Sequence, residues 1–318
     1  LNTAASFYLG AQDHEKADDA ASLGMVLSVI HGLILTFICI LIVPSFLHLF
    51  TQDEAVISYA LTYSYIVFAF TTPITISIAM EKVFQAEGQM VITMTTMLCG
   101  CITNIILDPI FIFGLGPVPE MGIAGAAWAT GIGQIVPMML YFIIYLKKPL
   151  PLRLRIRKGM FDRKLCGRIY GVGIPAALNM ALPSLMITAL NGILASFSAV
   201  YVLVLGIYYK LQTFIYLTAN GIVQGIRPIA GYNYGAGEYK RVKNVFQTAL
   251  ALTAGVMLAG TIICMIFASW LMGLFTSNLE TISAGCTALR IISIGFLVSS
   301  ISVTASGLLE GLGQGTLS

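Results

Sequence analysis

The sequence predicts an all-α polytopic membrane protein built from two parallel six-helix lobes, and three observations carry that prediction. Hydrophobic residues fill 58% of the 318 positions and charged residues only 10%, against about 25% charged in soluble domains. Many apolar runs exceed the ~20 residues needed to cross a hydrocarbon core. The chain also resembles itself at an offset of 225 residues.

Apolar length gives eight spans, near 22–50, 55–80, 90–114, 122–146, 168–197, 200–231, 244–275 and 281–310. Short polar or Gly/Pro joints separate them, such as Thr51–Glu54 and Gly114–Gly122. Residues 1–10 read as the end of an earlier span.

Basic residues fix the orientation. Lys16 precedes the first full span and Lys82 follows the second. Nine more (Lys147, Lys148, Arg153, Arg155, Arg157, Lys158, Arg163, Lys164 and Arg168) crowd the middle connection, and Lys240, Arg241 and Lys243 follow the sixth span. The intervening joints, near 51–54, 115–121, 198–200 and 276–280, hold none. The positive-inside rule makes the charged set cytoplasmic, and so clean an alternation supports the number of spans. Arg227, near a helix end, is expected to snorkel to the surface. Lys210 and Arg290 lie within spans, where a charge serves a ligand, pairs for structure or reaches the outer face.

The repeat appears in the joints. Without gaps, the shift aligns Gly10-Ala11 with Gly235-Ala236, Leu49-Phe50-Thr51 with Leu274-Phe275-Thr276, and Gly88-Gln89 with Gly313-Gln314. It also pairs Ile57-Ser58 with Ile282-Ser283 and Ile76-Ser77 with Ile301-Ser302. The interval contains an even number of spans, so both copies enter the membrane the same way, the parallel class of repeat. The register divides the chain into an N-lobe at 1–146, a linker at 147–167 and a C-lobe at 168–318. It also predicts about four helices outside 1–318, making twelve in a six-plus-six plan.

Chemistry is sparse within the spans. The six cysteines are scattered with no metal spacing and read as small apolar fillers. In Cys101-Ile-Thr-Asn104-Ile-Ile-Leu-Asp108-Pro109, Asn104 and Asp108 are four apart and share a helix face. Pro109 removes the amide that would bond the Ile105 carbonyl. This oxygen-rich turn suits a small cation or proton, or else Asp108 orders the outer end of its helix. Glu81, Glu87, Glu310, Asp53, Glu54, Glu120 and Glu280 flank joints and read as solvated end charges. Span 168–197 carries Asn179 with Pro175 and Pro183, which imply a bent helix lining a cavity or hinge. Met180, Tyr209 and neighbouring Met and Tyr residues form either an adaptable wall for flat cations or lipid and interlobe contacts. Nucleotide loops, hydrolase nucleophiles and metal clusters are not apparent, which excludes most enzyme classes.

Three stretches resemble the multidrug and toxic compound extrusion (MATE) transporters. One is Gly221-Ile-Val-Gln-Gly225-Ile-Arg-Pro228-Ile-Ala-Gly231-Tyr-Asn233-Tyr-Gly235-Ala236-Gly237, similar to the joint after the family's eighth helix. Another is Asn104-Ile-Ile-Leu-Asp108-Pro109 followed by Gly122-Ile-Ala-Gly125-Ala-Ala-Trp-Ala-Thr130, similar to helices 5 and 6. Tyr8-Leu9-Gly10-Ala11 resembles the matching joint of the first lobe. The resemblance implies antiport: an organic cation leaves while H⁺ or Na⁺ enters. It assigns ion coupling to Asn104 and Asp108, with Thr130 as the helix-6 hydroxyl. A family acid on helix 1 would lie upstream of Leu1. Helix 7 here lacks acids that some members carry, which favours the N-lobe for coupling.

The expected protein is therefore a plasma (inner) membrane exporter working by alternating access, not an enzyme. Asn179, Met180, Tyr209 and Lys210 are its candidate substrate-lining residues. Its partners are small organic cations and the bilayer, not nucleic acid; it needs no cofactor beyond the coupling ion and works as a monomer. The alternative is a flippase for lipid-linked saccharides from the same superfamily, which would line its cavity with more cationic side chains than Lys210 and Arg290.

Overall fold

The apolar runs form helices because only a helix or closed barrel satisfies every backbone N–H and C=O within a bilayer. The computed structural model describes every residue except Phe50 and Pro149, and the side chains of Lys158 and Gly159 are likewise outside the description. Its helices are α1 (Asn2–Gly10), α2 (His14–His48), α3 (Glu54–Ala69), α4 (Thr71–Ala86), α5 (Met90–Phe113), α6 (Gly122–Lys147), α7 (Arg163–Ala195), α8 (Ala199–Gly235), α9 (Tyr239–Ile266), α10 (Ala268–Gly273) and α11 (Leu279–Gly311). Among the described residues there is no strand. Seven helices are long and apolar enough to span a membrane, and α3 with α4 makes an eighth if the bent pair counts as one span. Large apolar side chains face outward, Phe37, Ile105 and Leu185 each about two-thirds exposed (66%, 68% and 67%). Water would penalise such a surface and lipid does not.

Two expected spans are broken. The one read as 55–80 is α3 and α4, bent by 44° at Phe70. Pro73 explains it, since its ring clashes with the carbonyl four residues back, Ala69, where α3 ends. The span read as 244–275 is α9 and α10, separated at Phe267. No proline lies there. Instead the Arg290 Nε donates to the Met265 carbonyl at 3.2 Å, the acceptor that continued helix would offer to Ser269. A side chain inserted into the ladder in this way ends the regular helix.

The chain gathers into two units, residues 1–5 with 13–165, and residues 6–12 with 166–318. In the first, α2 packs on α3 and α4, and α6 packs on α3, α4 and α5. Met80, Phe84, Tyr141 and Leu150 form a core near the linker. In the second, α8, α9 and α11 pack mutually around Tyr208, Met257, Leu289 and Phe296. Of α7, only Leu165 is buried among the described residues.

The 225-residue register recurs in local geometry. Asp53 Oδ1 caps α3 by accepting from Ala55 N at 2.9 Å, and Asn278, 225 residues later, caps α11 through Glu280 N at 2.9 Å. Thr51 and Thr276 each accept the cap residue's own N–H. Gly88 and Gly313 end α4 and α11 with left-handed φ of 74° and 81°, which glycine adopts without Cβ strain. Within the second unit, a Cβ on Gly10 would strike the Tyr232 carbonyl, and one on Gly235 would strike the Phe7 carbonyl. Each contact is the other shifted by 225. Phe50, part of the sequence match, lies outside the described residues.

Candidate functional site

Helices α5 and α6 meet closely because small residues face each other. Gly100 sits against Pro137 and the Gly133 carbonyl, Gly133 against Asn104 Cβ, and Gly125 against the Phe111 backbone. This contact directs Asn104 towards α6. Asn104 Nδ2 donates to Asp108 Oδ1 at 3.4 Å, the i, i+4 pairing its spacing predicts. Both residues are half-buried. The bond leaves the amide oxygen of Asn104 and the second oxygen of Asp108 for another cation or donor. Helix α5 runs through Pro109, so the Ile105 carbonyl has no amide of its own ladder to accept from. Thr130 is half-buried one turn before Gly133, flanking the α6 stripe that faces α5. The structure thus pairs Asn104 with Asp108 and sets Thr130 on the adjoining helix.

The expected substrate-lining residues do not form one cluster. On α7, Asn179 Nδ2 donates to Ser318 Oγ at 3.3 Å, and Met180 is 83% exposed. On α8, Tyr209 packs against the second unit's core beside Tyr208, the two rings tilted by 59° with centroids 5.3 Å apart. Lys210 Nζ lies 5.6 Å from the Phe275 ring centroid, a cation–π contact.

Other charges depart from the sequence reading. Arg227 does not snorkel: its Nη2 pairs with Glu310 Oε2 at 2.5 Å, and Glu310 is buried at 7% exposure rather than solvated. A buried carboxylate requires such a partner. The same register places Asn2 and Gln85 at the equivalent points of the first unit, where Asn2 Nδ2 donates to Gln85 Oε1 at 3.3 Å. The repeat is the signal that finds the pair, since a shift of 225 sets Glu310 on Gln85 and Arg227 on Asn2. Glu87 is also less solvated than expected, with Oε2 buried. Arg290 is exposed and donates its Nε–H to the Met265 carbonyl.

Long apolar helices, a repeat of parallel register and polar groups held on helix faces define a multi-pass membrane transporter. The chain belongs to the MatE family, whose model matches residues 1–110 and 175–318. It is 25% identical over 307 residues to the multidrug export protein MepA of Staphylococcus haemolyticus (strain JCSC1435), covering 96% of this chain and 67% of that one. It is 28% identical over 318 residues to MepA of Staphylococcus aureus (strain N315), with the same coverage. Among solved structures it resembles MATE in the bent conformation at a TM-score of 0.91 and 23% identity, over 99% of this chain and 69% of that one. A MOP superfamily transporter from Pyrococcus furiosus, described as having a binding pocket of reversed polarity, also matches at 0.91 and 23%, over 99% and 70%. These likenesses fix the fold. The family is one of transporters, so membrane transport rather than catalysis is the class of this protein.

Proposed function

We propose that the protein exports organic cations and drugs in exchange for H⁺ or Na⁺, by alternating access of its two lobes and as a monomer. The relatives named as multidrug export proteins support the export reading. The observation that carries the coupling is the Asn104–Asp108 pair in α5. A carboxylate held by an amide donor, with free oxygens beside a proline-loosened carbonyl, accepts a proton or a small cation and exchanges it as the surroundings change. Thr130 completes the oxygen set from α6. The sidedness given by the basic joints makes the linker end cytoplasmic.

Flipping of lipid-linked saccharides is the weaker reading for a physical reason. It would line its cavity with several cationic side chains, and within the spans only Lys210 and Arg290 are available for that. The test is ethidium efflux from proteoliposomes of the full-length transporter under imposed H⁺ or Na⁺ gradients. Gradient-driven efflux that Asp108→Asn abolishes supports the proposal. Undiminished efflux in that variant overturns the coupling role.

A further inference from the structure

The linker after α6 bends at Pro151 and Leu152 and then runs without regular structure from 153 to 157, with no strand among the described residues, so its backbone donors need other acceptors. Four consecutive N–H groups find them on side chains of the first unit. Leu152 donates to Glu87 Oε1 at 2.6 Å, Arg153 to Asp18 Oδ1 at 2.7 Å, Leu154 to Tyr145 Oη at 2.8 Å and Arg155 to Ser22 Oγ at 2.8 Å. The side chains alternate as on a strand: Leu150 and Leu152 are buried, Arg153 and Arg155 exposed. Arg157 then pairs with Asp19 and Glu15, each at 3.0 Å.

One of the four acceptors stands apart. Glu87 follows the end of α4 and grips Leu152 with one oxygen, while its other oxygen is buried with no hydrogen-bond partner among the described residues. A bare buried oxygen is tolerable on a neutral carboxyl and costly on a carboxylate. The charged groups facing it are Lys148 at the end of α6 and Asp18 on α2. Lys148 is partly diverted, since its Nζ donates to Gln89 Oε1 at 3.3 Å.

We propose that Glu87 is a proton-operated clasp on the linker: protonated, it seats Leu150–Arg157 on the first unit, and ionised, it loosens that segment. Burial pushes the Glu87 carboxyl up to about 7; Asp18 adds to the rise, while the Leu152 N–H and Lys148 oppose it. A seated-state value above the ordinary one means that seating is fully supported below the ordinary carboxylate range. That support is lost as pH rises through about 7. Between pH 6 and 8 the seating equilibrium falls about tenfold. By its position among the basic joints, the clasp reads cytoplasmic pH, independently of how the transport step is coupled.

Hydrogen–deuterium exchange of the full-length protein in nanodiscs tests this, following peptides over 150–157 and correcting for the intrinsic pH dependence of exchange. Protection of Leu152 should fall about tenfold from pH 6 to pH 8. Glu87→Gln, which keeps a carbonyl acceptor and cannot ionise, should show no pH slope and should be protected at least as well as the wild type at pH 6. Ser22→Ala should lower protection near Arg155 yet keep the slope. A flat wild-type profile overturns the proposal, and so does a slope that persists in Glu87→Gln, which would assign the titration to another group.

Discussion

The two units follow one register but bend at different points. In the first, α2 is a single helix and the following span breaks at Phe70. In the second, the counterpart of α2 breaks at Phe267 and the following span, α11, is continuous. Pro73 has Val298 as its repeat partner, and Arg290 has Tyr65, so each breaking residue is present in one copy only. The polar tie between equivalent helices differs too, an amide pair at Asn2–Gln85 and an ion pair at Arg227–Glu310. The caps and joints, by contrast, are shared. Duplicated membrane halves can thus keep the geometry that sets helix ends while diverging in the few side chains that decide where a helix bends and which ties are charged.

Breaking the charged tie should have the largest effect. Glu310→Ala leaves Arg227 uncompensated and should cost about 3 kcal/mol, whereas Asn2→Ala removes the neutral bond to Gln85 and should cost about 1 kcal/mol. Thermal unfolding in detergent measures both. Transplanting the first unit's tie, with Arg227→Asn and Glu310→Gln together, should recover most of the loss.

Next come the reciprocal glycines. Gly10→Ala and Gly235→Ala each drive a methyl into a carbonyl oxygen, and overpacking of this kind costs about 2 kcal/mol. Their melting shifts should agree closely. Unequal shifts would show that the reciprocity is only approximate.

The bends give a smaller energetic effect with a clear geometric readout. Arg290→Met loses one charge-assisted bond, about 1.5 kcal/mol, and releases the Met265 carbonyl to its own ladder. Electron–electron distances across Phe267 should then lengthen as α9 and α10 straighten. Pro73→Ala should lengthen the equivalent distance across Phe70. Smallest are the caps: Asp53→Ala and Asn278→Ala should each cost about 1 kcal/mol, seen as faster amide exchange confined to the first turns of α3 and α11.

Much of this was legible in the sequence. Span positions, joints and the register could be read because apolar length and Gly, Asn and Asp punctuation are local signals. The Asn104–Asp108 pair was readable for the same reason, being one helical turn apart. The break at Phe70 was readable as well, had Pro73 been weighed against Ala69 four residues back. The break at Phe267 was not, because its cause, Arg290, lies 25 residues from the carbonyl it takes. Three of the linker's four acceptors are more remote still, up to 135 residues away for Arg153 and Asp18. No local pattern announces that four successive amides will be held by side chains of two helices and a joint.

The division of the chain also sets an order of assembly during synthesis. Everything that holds the linker, from Glu15 to Tyr145, has been made before the linker itself emerges, so that segment can dock as soon as it leaves the ribosome. Residues 6–12 face the opposite situation. They are among the earliest made of these 318, yet they cluster with the second unit and meet the end of α8 at Tyr232 and Gly235. They must therefore wait through more than 200 further residues, at 5–20 residues per second about 10–45 s. During that interval Gly10, at the end of α1, lacks its final neighbour.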